Sequence, residues 1–368
     1  MKQYLLAFIP FLYQFSFSQV KQIQYLSGTD NIHTATWDFF CTGGRKSGYW
    51  TTIQVPSCWE QQGFGSYNYG RDNVTYGKNF RYAHEEGFYK HAFRIHASWK
   101  GKRIFMVFEG SMTDTKVRIN NKSAGPIHQG AFYEFKYDIT DKINFTGENL
   151  LEVKVSKMSA DPSVNNAERL ADYWIFGGIF RPVYLEAVPQ QFIDHVSIDA
   201  KADGSFRMNV FPQHISTVKT IVAEITDNKG KIVATTSMPV SSKDSVLLMK
   251  TNIKNVLQWT QETPVLYKVN VYLKNATATI YQLTEKFGFR TIEIRHGDGI
   301  YLNGVKIKMK GINRHVFWPE TGRCVNDSID LEDVKLIKGM NMNAGCCSPY
   351  PPNKRCLDYC DSLGLYVL

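Results

Sequence analysis

Residues 305–368 read VKIKMKGINRHVFWPETGRCVNDSIDLEDVKLIKGMNMNAGCCSPYPPNKRCLDYCDSLGLYVL. An apolar segment at 305–310 reads as a strand. A helix follows at 329–340, with Leu331, Val334, Ile337 and Met340 at helical spacing and Ser328 placed to cap its start. Residues 342–347 read as a second strand, 354–362 as a second helix and 365–368 as a third strand. This alternation predicts a parallel sheet, here the opening of a (β/α)8 barrel. A whole barrel takes roughly 250 residues, and residues 290–368 supply about a third of that. The expectation is an incomplete barrel whose unpaired parallel edge makes it unstable in isolation.

Upstream, the period changes from helical to strand-like. Residues 190–289 hold some seven short strands, one of them carrying Tyr267, Val269, Val271 and Leu273 on a single face, as an immunoglobulin-like β-sandwich does. This domain lacks a cluster of titratable residues and reads as a spacer. Residues 19–189 read as a first, jelly-roll-like sandwich. There Leu151, Val153 and Val155 alternate with Glu152 and Lys154, which predicts one buried and one wet face. Its connections at 59–89 and 158–174 are long and aromatic, as sugar-contacting loops at one end of a sandwich are. The fold class is therefore multidomain and mainly β.

Composition narrows the functions. The net charge of +9 comes from 43 basic residues interleaved with 34 acidic ones, which argues for a solvated surface and against a nucleic-acid partner. Lys2, the apolar run 4–17 and the small residues Ser16 and Ser18 read as a signal peptide cleaved near Ser18, which predicts export to the periplasm or beyond. No later segment reads as a membrane span. Seven cysteines are present. Cys41 and Cys58 are a candidate pair, and the five near the end fit no zinc spacing.

Four segments, VPSCWEQQGFG at 55–65, DYWIFGGIFRPVYLEAVP at 172–189, WTQETPVLY at 259–267 and GINRHVFWPETGR at 311–323, together resemble glycoside hydrolase family 2, the β-galactosidase and β-glucuronidase group. The resemblance implies a retaining exo-glycosidase acting on terminal β-linked sugars, with β-galactosides leading and β-glucuronidase or β-mannosidase as alternatives within the family. That chemistry needs two carboxyl groups about 5 Å apart. By resemblance they are glutamates on barrel strands four and seven, beyond Leu368, so these residues are expected to be inactive alone. Glu320 and Asp327, on the first βα loop, read as loop structure. A non-catalytic carbohydrate-binding or structural β-sandwich protein is the reading from a different class.

Substrate contacts carry over one at a time. Asp172 matches an aspartate that accepts from sugar hydroxyls, the alternative being a turn or an ion pair with Arg181. The residues themselves require no cofactor, but by resemblance a sodium or magnesium ion is a candidate, with Asp172 as a sodium ligand. Asn73 matches a loop asparagine reaching toward the sugar, or serves a turn. His315, following Arg314, matches a histidine that hydrogen-bonds the sugar at the catalytic end of the barrel. Trp318 either stacks on a sugar face or packs its loop.

The chain also departs from the family. Where the pattern runs N-A-V-R-x-S-H-Y-P, this sequence has Asn343, Ala344, Gly345, Cys346, Cys347, Ser348, Pro349, Tyr350 and Pro351. Neither cysteine nor proline replaces the fixed cation or the donor of the lost arginine and histidine. Gly345 removes the volume of a β-branched core residue. Each change is a single-base step, which we read as decay or a reading error.

Overall fold

In the first domain Leu151, Val153 and Val155 are buried, and the intervening Glu152 and Lys154 are half-exposed, as period-two alternation requires. The computed structural model describes residues 20–347 and 350–368; the expected leader and the Pro349 substitution lie outside the described residues. Two antiparallel sheets face each other. One runs Trp50–Val55, Ala35–Cys41, Glu86–Phe93, Asn149–Ser156, Asp114–Ile119, Lys122–Ser123; the other runs Gln22–Tyr25, Val183–Val188, Arg103–Phe108, Phe135–Asp138. Trp37, Phe39, Ile53, Met106, Phe108, Val117 and Leu185 fill the space between them.

Val183–Val188 is buried at every position, and Arg103–Phe108 at nearly every one. Their outer face explains this, because Phe105, Val107, Tyr184 and Val188 belong to the core of the next domain, with Phe105 5.8 Å from Phe192. A strand covered on both sides reads as an unbroken apolar run. The second domain has the seven strands expected, in a three-stranded sheet (Phe192–Ala200, Ser205–Gln213, Leu247–Asn252) and a four-stranded one (Ile232–Pro239, Thr220–Thr226, Tyr267–Lys274, Thr279–Phe287).

The last region corrects two expectations. Residues 305–310 are not the first barrel strand. Asn303 and Gly304 both adopt positive φ, the two-residue turn that folds a strand back on its predecessor, so Val305–Ile307 pairs antiparallel with Gly299–Leu302. The barrel strand is Gly311–Asn313. It pairs parallel with Ala344–Cys346, which pairs with Tyr366–Val367. The helix is Asp327–Gly339, and its cap is Asn326 rather than Ser328, because the Asn326 side chain accepts from the Ile329 amide at 3.0 Å. Val334 and Ile337 are buried, while Met340 lies past the last helical residue and is exposed. The second helix, Lys354–Leu363, is capped by Asn353 and ends at Gly364.

Cys41 and Cys58 are not bonded to each other. The Cys41 thiol donates to the Gly43 carbonyl at 3.2 Å, and Cys58 Sγ accepts from the Arg323 amide at 3.4 Å. All seven cysteines are free.

Candidate functional site

The motif at 55–65 is organised by Trp59, which is fully buried. A Cβ at position 177 would lie 2.0 Å from the Trp59 ring, so the close approach of the two segments requires Gly177. The Trp59 amide donates to the Gly177 carbonyl at 3.0 Å and the Ser57 amide to the Ile179 carbonyl at 2.7 Å. Glu60 accepts from the Gly177 amide and pairs with Lys157 Nζ at 2.7 Å, both side chains being 0% exposed. Lys157 also donates to the Ser66 carbonyl. Burial pushes the Glu60 carboxyl above its usual range, with Lys157 opposing. This ion pair is internal scaffolding, and it clamps the first two motifs together.

The fourth motif docks on that clamp. Gln61 donates to the Pro319 carbonyl at 2.7 Å, the Cys324 thiol to the Pro56 carbonyl at 3.4 Å, and the Phe317 ring stacks on Phe176 with centroids 6.2 Å apart. Phe132, Tyr173, Phe176, Val316, Val325 and Tyr350 close a small core between sandwich and barrel. Arg314 turns away from it, holding Asp330 at 2.8 Å and Asp333 at 2.7 Å. That ties the first barrel strand to the following helix and leaves His315 facing the sandwich.

His315 is exposed, with Nδ1 3.2 Å from the Tyr350 hydroxyl and its ring centroid 6.1 Å from Tyr173. Desolvation and the nearby Arg323 cation hold its pKa below that of a free histidine. Asp172 directly precedes Tyr173, the ring that His315 meets. The Asp172 side chain is 74% exposed and pairs with Arg71 at 3.0 Å. The expected alternative, Arg181, is elsewhere, donating to the carbonyls of Phe132 and Pro351, each at 2.9 Å. Arg71 immediately precedes the short helix Asp72–Tyr76 that carries Asn73. The Tyr82 hydroxyl donates to Asn73 Oδ1 at 2.9 Å, which leaves the Asn73 amide nitrogen without a partner among the described residues.

Trp318 is 40% exposed and closes a tight turn with Gly322 through reciprocal backbone bonds of 2.7 and 2.8 Å. Neither Trp318 nor His315 contacts Asp172 or Asn73 among the described residues: the structure links Asp172 to the helix of Asn73 through Arg71, and sets His315 against Tyr173 and Tyr350. Asp327 accepts from the Tyr359 hydroxyl at 2.7 Å, and Glu320 is exposed on the Trp318 turn. A hard cation needs several oxygen ligands. Asp172 brings one carboxylate, already met by Arg71, and no group of three His, Cys, Asp or Glu side chains converges among the described residues. The sodium or magnesium expectation therefore finds no fitting donor set at Asp172.

Sequence reasoning passed over Arg323. It is 4% exposed, and its guanidinium lies 4.2 Å from the Tyr350 ring centre, 4.6 Å from Tyr173 and 5.3 Å from Phe132. Its Nε and Nη1 have no hydrogen-bond partner among the described residues, so ring faces take the place of a carboxylate. The cation thus holds three rings from separate segments around His315. The sequence offered only an arginine inside a loop motif, with nothing to tie it to residues up to 191 positions away. At the altered second strand, Cys346 is half-buried and burial pushes the Cys347 thiol up to about 11, so that thiol is neutral and supplies no charge.

Two β-sandwiches leading into a parallel βα sheet define the class: a multidomain, mainly β chain that opens into a barrel. Residues 46–189, 191–290 and 292–368 match, in order, the sugar binding domain, the central domain and the TIM barrel domain of glycosyl hydrolases family 2. The chain belongs to that family. It is 30% identical to a β-galactosidase of Thermoanaerobacter pseudethanolicus over 287 residues (76% of this chain, 38% of the relative). It is also 30% identical to one of Streptococcus thermophilus over 376 residues (97% of this chain, 36% of the relative). The chain therefore spans little more than a third of these relatives. Bacteroides uniformis β-glucuronidase shares the fold, with a TM-score of 0.77 at 23% identity, over 94% of this chain and 42% of that one. Bifidobacterium dentium β-glucuronidase gives 0.76 at 20%, over 95% and 62%.

Proposed function

We propose that these residues form the sugar-recognising part of a retaining exo-glycosidase that removes terminal β-galactosyl groups. The observation that carries the proposal is the packing of His315 against Tyr173, the chain neighbour of Asp172, at the sandwich–barrel junction. An ionised carboxylate accepts from two adjacent hydroxyls, and a neutral imidazole both donates and accepts, which suits a neutral sugar. The low pKa of His315 keeps the neutral form populated into mildly acidic solution. Galactose is favoured because the relatives at 30% identity are β-galactosidases. The two carboxyl groups of the retaining mechanism are assigned to barrel strands outside residues 1–368.

The test is twofold. Nitrophenyl β-galactoside and β-glucuronide are offered to the 368-residue chain, and no turnover is expected. Galactose binding is followed by calorimetry or NMR shift perturbation, where weak binding lost in Asp172→Ala and His315→Ala is expected. Retaining hydrolysis by these residues alone, or galactose binding indifferent to both substitutions, would overturn the proposal. Lys2, the apolar run 4–17, Ser16 and Ser18 support a second element of it, export with cleavage near Ser18. Recovery of the secreted protein still carrying Met1 would refute that element.

A further inference from the structure

The six-stranded sheet of the first domain carries two adjacent cross-strand rows on its solvent face. Trp50, Phe40, Phe88, Lys154 and Lys116 are successive partners in one row. Asp38, Lys90, Glu152 and Arg118 are successive partners in the next. Trp50 is 49% exposed, Phe40 lies 5.7 Å from it and 6.2 Å from Phe88, and Lys90 Nζ sits 4.7 Å from the Trp50 ring centre. A groove of about 350 Å³ runs between Trp50, Phe88, Lys90, Lys116, Arg118 and Glu152.

An ordinary solvated face would close its opposed charges into cross-strand pairs. In these two rows the one ion pair among the described residues is Lys154 with Glu86 at 2.5 Å. Lys90, Lys116, Arg118, Asp38 and Glu152 form no ion pair with one another; Arg118 Nη2 donates to the Asn121 carbonyl at 2.7 Å, and Glu152 Oε2 is buried with no partner among the described residues.

We propose that this face is a second carbohydrate site, taking a neutral glycan chain and lying outside the candidate site at the barrel. An aromatic row matches the apolar C–H face of a sugar ring. The neighbouring row offers acceptor, donor, acceptor and donor in turn, which matches hydroxyl groups that do both. The row sums to zero and Lys154 is met by Glu86, which leaves Lys116 as the one excess charge of the two rows, a weak draw for an acidic polymer. Five strands cover four spacings, about 19 Å across the face, which is room for a chain of sugars rather than one. The assignment does not depend on the roles given to Asp172 and His315.

The test is electrophoresis of the 368-residue chain through native gels cast with a neutral β-galactan, beside gels cast with polygalacturonate. Retardation in the galactan is expected. Trp50→Ala should weaken it about tenfold, the worth of one stacked ring. Arg118→Gln, an exposed change outside the aromatic row, should weaken it as well. No retardation in galactan, retardation in polygalacturonate alone, or indifference to both sheet-face variants would each overturn the proposal.

Discussion

Replacing Lys157 by methionine tests whether the buried ion pair beneath the candidate site is what holds the first two motifs together. Nζ lies 2.7 Å from Glu60 Oε1 and 3.7 Å from Glu85 Oε2, inside the domain. Without the cation Glu60 is stranded as a charge or takes up a proton. Starting from a free carboxyl at 4.5, protonation at pH 7 costs about 3.4 kcal/mol at about 1.36 kcal/mol per unit, an upper bound on the difference from wild type, where burial already raises Glu60. Stranding the charge costs about 3–5 kcal/mol, so protonation sets the deficit. The sign follows from proton binding. The folded variant holds a proton that the unfolded chain has released, so the deficit is largest at neutral pH and fades as pH falls toward 4.5. Urea unfolding followed by the fluorescence of buried Trp37 and Trp59, wild type against variant at each pH, measures it. Adding Glu60→Gln to the variant should recover most of the loss. A deficit below about 1 kcal/mol at neutral pH, or one that grows on acidification, refutes the reasoning.

Two further outcomes are expected. A Cβ added at Gly345 would meet Leu365 at 3.6 Å and Ile337 at 3.9 Å, ordinary contacts, so Gly345→Ala should stabilise the barrel region by about 1–1.5 kcal/mol through backbone entropy and methyl burial. Urea unfolding reads this, and a loss of stability would contradict it. Arg323→Lys keeps the charge but loses the planar stack on three rings, and should destabilise the junction by about 2 kcal/mol. Limited proteolysis should then cut faster in residues 312–326, and an unchanged cleavage rate there would count against the ring cage.

Much of the architecture was legible because it rests on local periodicity. The strand at Asn149–Ser156, the seven strands of the second domain and the helices at Asp327–Gly339 and Lys354–Leu363 all follow from spacing of apolar residues. The misplaced barrel strand shows where that evidence ends. Residues 305–307 and 311–313 are both short and partly apolar, and only the positive-φ pair at 303–304 assigns the first to a hairpin. Ser328 and Asn326 are both good caps, and helix register chose between them.

By itself, then, the sequence determined the domain order, the sandwich and βα character of each part, and the motifs that identify the family. Which side chains meet was decided by tertiary structure. Arg71 rather than Arg181 faces Asp172, Arg323 gathers Phe132, Tyr173 and Tyr350, and Cys41 and Cys58 stay apart. The physical reason is that periodicity records only whether a residue faces the core or solvent. Pairing between segments more than a hundred residues apart is fixed by how domains dock, and no local pattern encodes that.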